Sequence, residues 1–335
     1  MKRGESMGGQ LEDGTILVFG MPRSGTTWLG KIFDSHSQTL YRHEPDSWSK
    51  LSEIPLMPSM KDASQYAEYI QLFNAGLPGI RAAKVCAKQP LFRKQYLSGF
   101  RFWVMKIGSM LSQLADRAGV SVPVVGAIKK PPVNSKVVWK SIESIGRLGV
   151  ILEALPQSRC VHIVRHPCGY VASVLRGEKR RKFQDNRGAS EDYGVLTVLL
   201  ETEAAKEIGI TLSDLKDALP EERLAWRWAL STEKAIRETR QSDRCMLIRY
   251  EDLCRNPISI IKSTYEFVGL NYDAQTDAFL KASVRHQDDA YYSVYKDPLT
   301  AANRWKDELE EIQVQKILDI SQLVSSGRLF DERDS

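Results

Sequence analysis

The eight residues GMPRSGTT at 20–27 follow directly on the apolar run TILVF at 15–19 and lead into a helical pattern at 27–35. A strand, a glycine-bearing loop and a helix in that order bring backbone N–H groups and the helix dipole to bear on an anion. Gly20 and Gly25 have the spacing of the Walker loop, G-x-x-x-x-G. Thr26 and Thr27 then stand where that loop carries Lys followed by Ser or Thr. The phosphate-clamping lysine is therefore missing, and Arg23 supplies the nearby positive charge. A plain strand-to-helix turn also needs glycine for its backbone angles. Arg23, Ser24, Gly25, Thr26 and Thr27 together go further and predict an anion cradle.

A second run, CVHIV at 160–164, ends in Arg165, with Ser173 eight residues on. A P-loop NTPase usually ends a neighbouring strand in Asp, which helps to hold Mg²⁺. Arginine in that place is a poor metal ligand and a good grip for a second anionic group. The two motifs predict a nucleotide with two separate anionic ends, bound without an obligatory metal.

These residues need a scaffold, and the apolar pattern describes one. Residues 15–19, 160–164 and 245–248 are short, branched runs that read as buried strands, and 122–128 is a weaker fourth. Helical spacing recurs at 27–35, 102–118, 142–154, 221–239, 258–268 and 309–323. Strands alternating with helices predict a P-loop-containing, three-layer α/β/α fold with a central, mostly parallel sheet. No repeat or long linker divides the chain, so residues 1–335 read as a single domain with a flexible N-terminus at 1–13. Residues 46–118 and 177–220 read as substrate-side insertions. Overlapping the second, residues 176–187 carry six basic residues against two acidic ones, which is either a solvated face or a contact for an acidic ligand.

Composition narrows the class. Lys and Arg total 47 and Asp and Glu 42, for a formal charge of +5, which suits an anionic ligand. The surplus is too dispersed to argue for nucleic acid. Five cysteines without CxxC spacing speak against a disulfide framework or a zinc site and for a reducing compartment. The opening residues lack the apolar stretch of a signal peptide, and no run approaches the ~18 apolar residues that span a bilayer. A cytoplasmic protein with no membrane span is expected, and the oligomeric state is left open.

With these motifs in hand, the sequence resembles the sulfotransferases that use 3′-phosphoadenosine 5′-phosphosulfate (PAPS) and release 3′,5′-ADP (PAP). PRSGTTWL is similar to their 5′-phosphosulfate loop, and Arg165 with Ser173 to their 3′-phosphate motif. IRYEDL at 248–253 and NRWKDEL at 303–309 extend the likeness over most of the chain. Arginine in the loop resembles the carbohydrate, protein-tyrosine and bacterial enzymes, whereas Trp28 after Thr-Thr is similar to the cytosolic ones. The resemblance implies that Arg23, Ser24, Gly25, Thr26 and Thr27 hold the 5′-phosphosulfate. It implies that Arg165 and Ser173, with help from Arg176, bind the 3′-phosphate. Trp28 either stacks on adenine or faces the core. Tyr250 falls where the family contacts the nucleotide, and Glu251 and Asp252 read as structural. Ser293, Arg304 and Trp305 would close the nucleotide site, although the cytosolic family's RKGxxGDWK closure is absent.

The same likeness implies catalytic roles. Sulfuryl transfer is an in-line displacement whose developing charge must be met by fixed donors. Arg23 and the threonine pair would meet it, aided by Lys140, with Lys129 and Lys130 in reserve. Glu44, in YRHEPDSW, would take the proton of an acceptor hydroxyl, with His43 as the alternative. Adjacent residues of an extended segment point to opposite sides, so one of the two is expected to face the site. His36, His162 and His286 read as structural. A hydroxyl-bearing acceptor (a carbohydrate-like alcohol, a lipid or a small metabolite) completes the reaction. The rival readings are a small-molecule P-loop kinase and a non-catalytic nucleotide-binding protein.

Overall fold

Ile16 and Val18 pack into one apolar core and Leu17 and Phe19 into another, although all four are buried. A strand whose successive side chains point to opposite faces does this only inside a sheet covered on both sides. The computed structural model describes residues 14–49, 51–120, 122–127, 135–179, 188–285 and 298–330. Among them are the strands β1 (Ile16–Phe19), β2 (Thr39–His43), β3 (Lys136–Ser141), β4 (Arg159–Val164) and β5 (Cys245–Arg249). They form one parallel sheet in the order β2-β3-β1-β4-β5. All the carboxyl ends therefore lie along one edge, which is where open α/β sheets bind their ligands.

From β1 the chain enters α1 (Thr26–Ser35), and from β2 it enters α2 (Pro45–Trp48). The segment before β3 holds α3 (Ala63–Gly76), α4 (Ala83–Cys86) and α5 (Gly99–Arg117). Between β3 and β4 lies α6 (Leu148–Ala154). After β4 come α7 (Pro167–Lys179), α8 (Tyr193–Leu199), α9 (Glu203–Ile208), α10 (Leu212–Asp217) and α11 (Pro220–Thr239). Beyond β5 are α12 (Tyr250–Arg255), α13 (Pro257–Val268) and α14 (Ala274–Arg285). The chain continues through α15 (Pro298–Asn303), α16 (Trp305–Glu308) and α17 (Glu311–Gln322). The core on the Phe19 face takes residues from α6, α7, α11 and α17, and the core on the Val18 face from α1, α12, α13 and α14. The result is the expected three-layer α/β/α fold round a parallel sheet.

The helical patterns read from the sequence correspond to α1, α5, α11, α13 and α17. The pattern at 142–154 instead opens with a 3-10 turn, Ser144–Arg147, before α6. The fourth strand expected at 122–128 is a correction: the described residues 122–127 form turn and irregular backbone. Pro123 has no N–H to give to a ladder, and Gly126 sits at φ 81°. In exchange, β2 and β3 are strands that the apolar pattern does not announce. Residues 1–13 and 180–187, and with them most of the basic run, lie outside the described residues.

Candidate active site

The loop after β1 is tightened at two glycines. A Cβ on Gly20 would lie 2.4 Å from the Ile163 carbonyl of β4, and Gly25 stands at φ 85°, with Tyr250 against it. Arg23 also takes a left-handed conformation, φ 69°, which a non-glycine residue adopts at some cost and mostly at functional turns. Gly25 caps α1 without a side-chain bond, so the leading N–H groups of the helix have no side-chain partner there. Thr26 and Thr27 form the first turn of α1. The Ser24 hydroxyl is buried and has no hydrogen-bond partner among the described residues.

Arg165 lies against this loop. Its guanidinium donates to the Arg23 carbonyl at 2.9 Å and to the Ala301 carbonyl at 2.6 Å, and stands 4.9 Å from the centre of the Tyr250 ring. Its Nε is buried without a partner among the described residues. Arg23 Nε donates to Ser173 Oγ on α7 at 3.0 Å, so the loop arginine and the proposed 3′-phosphate serine are in contact. Behind them, Glu251 accepts from the His166 N–H at 3.0 Å, and Trp305 stacks on the His166 ring at 4.7 Å. Arg176 and Arg304 both pair with Glu308. Trp28 is on the core side of α1, where Nε1 donates to Ser283 at 3.1 Å and the ring meets Tyr250 edge-on. It is 8% exposed, which corresponds to the core-facing of its two expected positions. Ser293, Lys129 and Lys130, together with His286, lie outside the described residues.

Glu44, His43 and Lys140 meet at the ends of β2 and β3. His43 is paired in register with Lys140. The Glu44 N–H donates to the Lys140 carbonyl at 2.8 Å, and the buried Lys140 ammonium donates to the Glu44 carboxylate. β3 lies beside β1, with Ser141 opposite Phe19, so this cluster is one strand away from the start of the loop. The alternation of an extended chain would send His43 and Glu44 to opposite sides. Glu44 instead takes φ 48° and ψ 51°, so both side chains line one cavity. Their separation is 3.7 Å between His43 Nε2 and Glu44 Oε1.

Burial dominates the electrostatics here. It holds the His43 pKa well below the usual imidazole range, and the charges of Lys140, Lys88 and Lys31 push it the same way. The ring is therefore neutral at physiological pH, with Tyr41 OH bonded to Nδ1 at 2.8 Å. Burial also lowers the Lys140 pKa, against the opposing pull of Glu44.

The cavity has a volume of about 500 Å³ and is lined by His43, Glu44, Trp48, Lys84, Lys88 and Gln113, among others. Its walls come from the ends of β2 and from residues within the 46–118 segment. Residues of the other expected insertion that are described, 177–179 and 188–220, contribute none of its lining, and those of 188–220 pack on α11.

Two supports escaped sequence reasoning. Asp46 is fully buried and accepts from Trp139 Nε1 at 3.1 Å, from Ser144 Oγ at 2.6 Å and from Ser141 Oγ. It fixes the turn that carries Glu44 to the end of β3. Asp34 of α1 is held between Lys31 and Lys94, and Lys94 also donates to the His36 carbonyl at 3.0 Å. The signal for Asp46 was its place two residues after Glu44; for Asp34 there was none, because its second lysine lies 60 residues away in sequence.

The profile of the Sulfotransferase family matches residues 15–274, from the start of β1 into α14. Carbohydrate sulfotransferase 5 of Mus musculus is 22% identical over 349 residues, covering 91% of this chain and 78% of its own. Carbohydrate sulfotransferase 1 of Danio rerio is 24% identical over 347 residues, covering 95% and 76%. Among solved structures, the sulfotransferase domain from the curacin biosynthetic pathway is similar with a TM-score of 0.44 and 17% identity, covering 91% of this chain and 96% of its own. Mouse sulfotransferase SULT7A1 complexed with PAP has a TM-score of 0.44 and 11% identity, covering 96% and 90%. The family profile spans well over half of the residues and includes the loop, the Glu44 cluster and Arg165: the chain belongs to the sulfotransferase family.

Proposed function

We propose that this sulfotransferase takes its sulfuryl group from PAPS and passes it to a hydroxyl of a carbohydrate-like acceptor. The observation that carries the donor assignment is the pair of buried polar atoms without partners among the described residues, Ser24 Oγ and Arg165 Nε, where the loop meets β4. Buried polar groups are bonded as a rule, so these two fit the anionic oxygens of a ligand. Ser24, Gly25, Thr26 and Thr27 would hold the 5′-phosphosulfate. Arg165, Ser173 and Arg23 would hold the 3′-phosphate, with Tyr250 as the wall between and Arg304 and Trp305 closing behind.

In the transfer, the acceptor oxygen bonds to sulfur as the bond from sulfur to the 5′-phosphate oxygen breaks, and PAP leaves. The acceptor's proton passes to the Glu44 carboxylate, which Lys140 holds in the cavity. The charge left on the phosphate oxygen faces the N-terminus of α1 and the Arg23 backbone turn. His43, neutral and bonded to Tyr41, is the second base within reach. Lysine and amide side chains along the cavity suit an acceptor rich in hydroxyl groups, in keeping with the names of the two curated relatives.

The test is an acceptor panel of glycans, lipids and small alcohols incubated with sulfur-radiolabelled PAPS and, in parallel, with labelled ATP with and without EDTA. Label from PAPS should appear in an acceptor together with a mass gain of one SO3 group. Transfer from ATP that EDTA abolishes would replace this reading with that of a kinase.

A further inference from the structure

Helix α5 is turned inside out. Ser109 and Ser112 are buried, whereas Phe100, Trp103, Met110, Leu111 and Leu114 are between 52% and 73% exposed. With the half-buried Ile107, these residues recur at spacings of three and four, which puts them on one arc of about 100° along a helix of about 28 Å. Polar bonds hold the opposite face: Ser112 donates to the Val122 carbonyl and Gln113 to the Ala87 carbonyl at 3.2 Å. Val120, Val122 and Val125, just beyond the helix, are also exposed. The helix thus presents a convex apolar ridge, with the exposed Arg101 on one flank and the exposed Lys106 on the other.

Positive charge is concentrated in the stretch of sequence that carries α5. Residues 69–142 contain twelve Lys or Arg and one acidic residue, Asp116, whereas the rest of the chain is richer in acidic than in basic residues. Arg93 and Lys84 join Arg101 and Lys106 as exposed members of that set. An aromatic and aliphatic stripe bordered by cations is the form of a helix that lies in the plane of a membrane interface. A second copy of the chain would bring the exposed Arg101 and Lys106 of each ridge together.

We infer that α5 docks the protein on the surface of an anionic lipid bilayer, with Phe100, Trp103, Leu111 and Leu114 entering the acyl boundary. The basic residues beside them meet the lipid phosphates. Gln113 and Asp116, on the opposite face of α5, line the Glu44 cavity, so docking leaves that cavity on the side of the helix away from the bilayer. No hydrophobic span is involved.

Co-sedimentation with vesicles tests this without any donor nucleotide, so its outcome is separate from that of the transfer assay. The full chain should sediment with phosphatidylcholine–phosphatidylglycerol vesicles and remain in solution with phosphatidylcholine alone. The double variant Trp103→Glu, Leu111→Glu should bind at least about tenfold more weakly while melting at the wild-type temperature, because both side chains are exposed. Equal binding by the variant, or no binding by the wild type, overturns the inference. So does a dimer in size-exclusion chromatography that the variant disperses, since a second copy then covers the ridge. Retention on polyglutamate that depends on Trp103 and Leu111, without vesicle binding, would assign the ridge to an acidic protein instead.

Discussion

Glu44 and Lys140 are bonded twice, once through the backbone and once through their side chains. The Glu44 N–H donates to the Lys140 carbonyl at 2.8 Å, and the Lys140 ammonium returns to the Glu44 carboxylate. A left-handed residue after β2 makes the second bond possible, by turning Glu44 back over the end of β3. Lys140 thereby fixes the position of the Glu44 carboxylate.

Replacing Glu44 with Gln keeps an acceptor for Lys140 and removes the proton acceptor for the substrate. The turnover number should fall by about 10²–10⁴-fold, with 3′,5′-ADP affinity unchanged. Initial rates and titration calorimetry on the same preparation separate the two effects. A wild-type rate would transfer the role to His43, 3.7 Å away.

The cradle depends on Gly25. An added Cβ would lie 2.3 Å from Tyr250 Cδ2, at a φ of 85° that L-residues seldom adopt. Strain of about 1–3 kcal/mol must distort the loop or push back Tyr250, on which Arg165 rests. The variant Gly25→Ala should therefore bind 3′,5′-ADP about 10–100-fold more weakly. Affinity equal to the wild type would mean that the loop does not contact the nucleotide.

Acid should destabilise the protein partly through His162, in the middle of the sheet. Burial lowers its pKa to about 4 from 6.5, so the unfolded chain takes up a proton that the native state refuses. The stability held above the unfolded pKa is then lost as pH falls towards 4, by about 3 kcal/mol in all. Burial lowers His43 and His36 in the same direction. Denaturant unfolding near neutrality and near pH 4 should show that His162→Leu reduces the loss, and an unchanged acid slope would remove His162 as a cause.

The sequence made the outer frame legible and left part of the interior obscure. Apolar strands such as TILVF and CVHIV declare themselves because all their residues but Thr15 and His162 contribute to a core. β2 and β3 did not, because Arg42, His43 and Lys140 interrupt their apolar pattern. Each is nevertheless buried, since tertiary partners satisfy it: Arg42, for example, donates to the Leu77 and Pro78 carbonyls at 2.8 Å. The signal that hid these strands is the one that marks the site, because buried polar side chains at strand ends are the ones available for chemistry. The loop and Arg165 were legible from local spacing. The shared cavity of His43 and Glu44 was not, because it turns on one backbone conformation.

The central claim is that the loop and Arg165 together hold an adenosine bisphosphate, and titration calorimetry of 3′,5′-ADP and 5′-AMP on wild type and Arg165→Ala tests it most directly. The wild type should prefer 3′,5′-ADP. Loss of the arginine should weaken that ligand by about 10–100-fold and leave 5′-AMP nearly unaffected. Equal losses for the two nucleotides, or a wild type that does not distinguish them, would contradict the account.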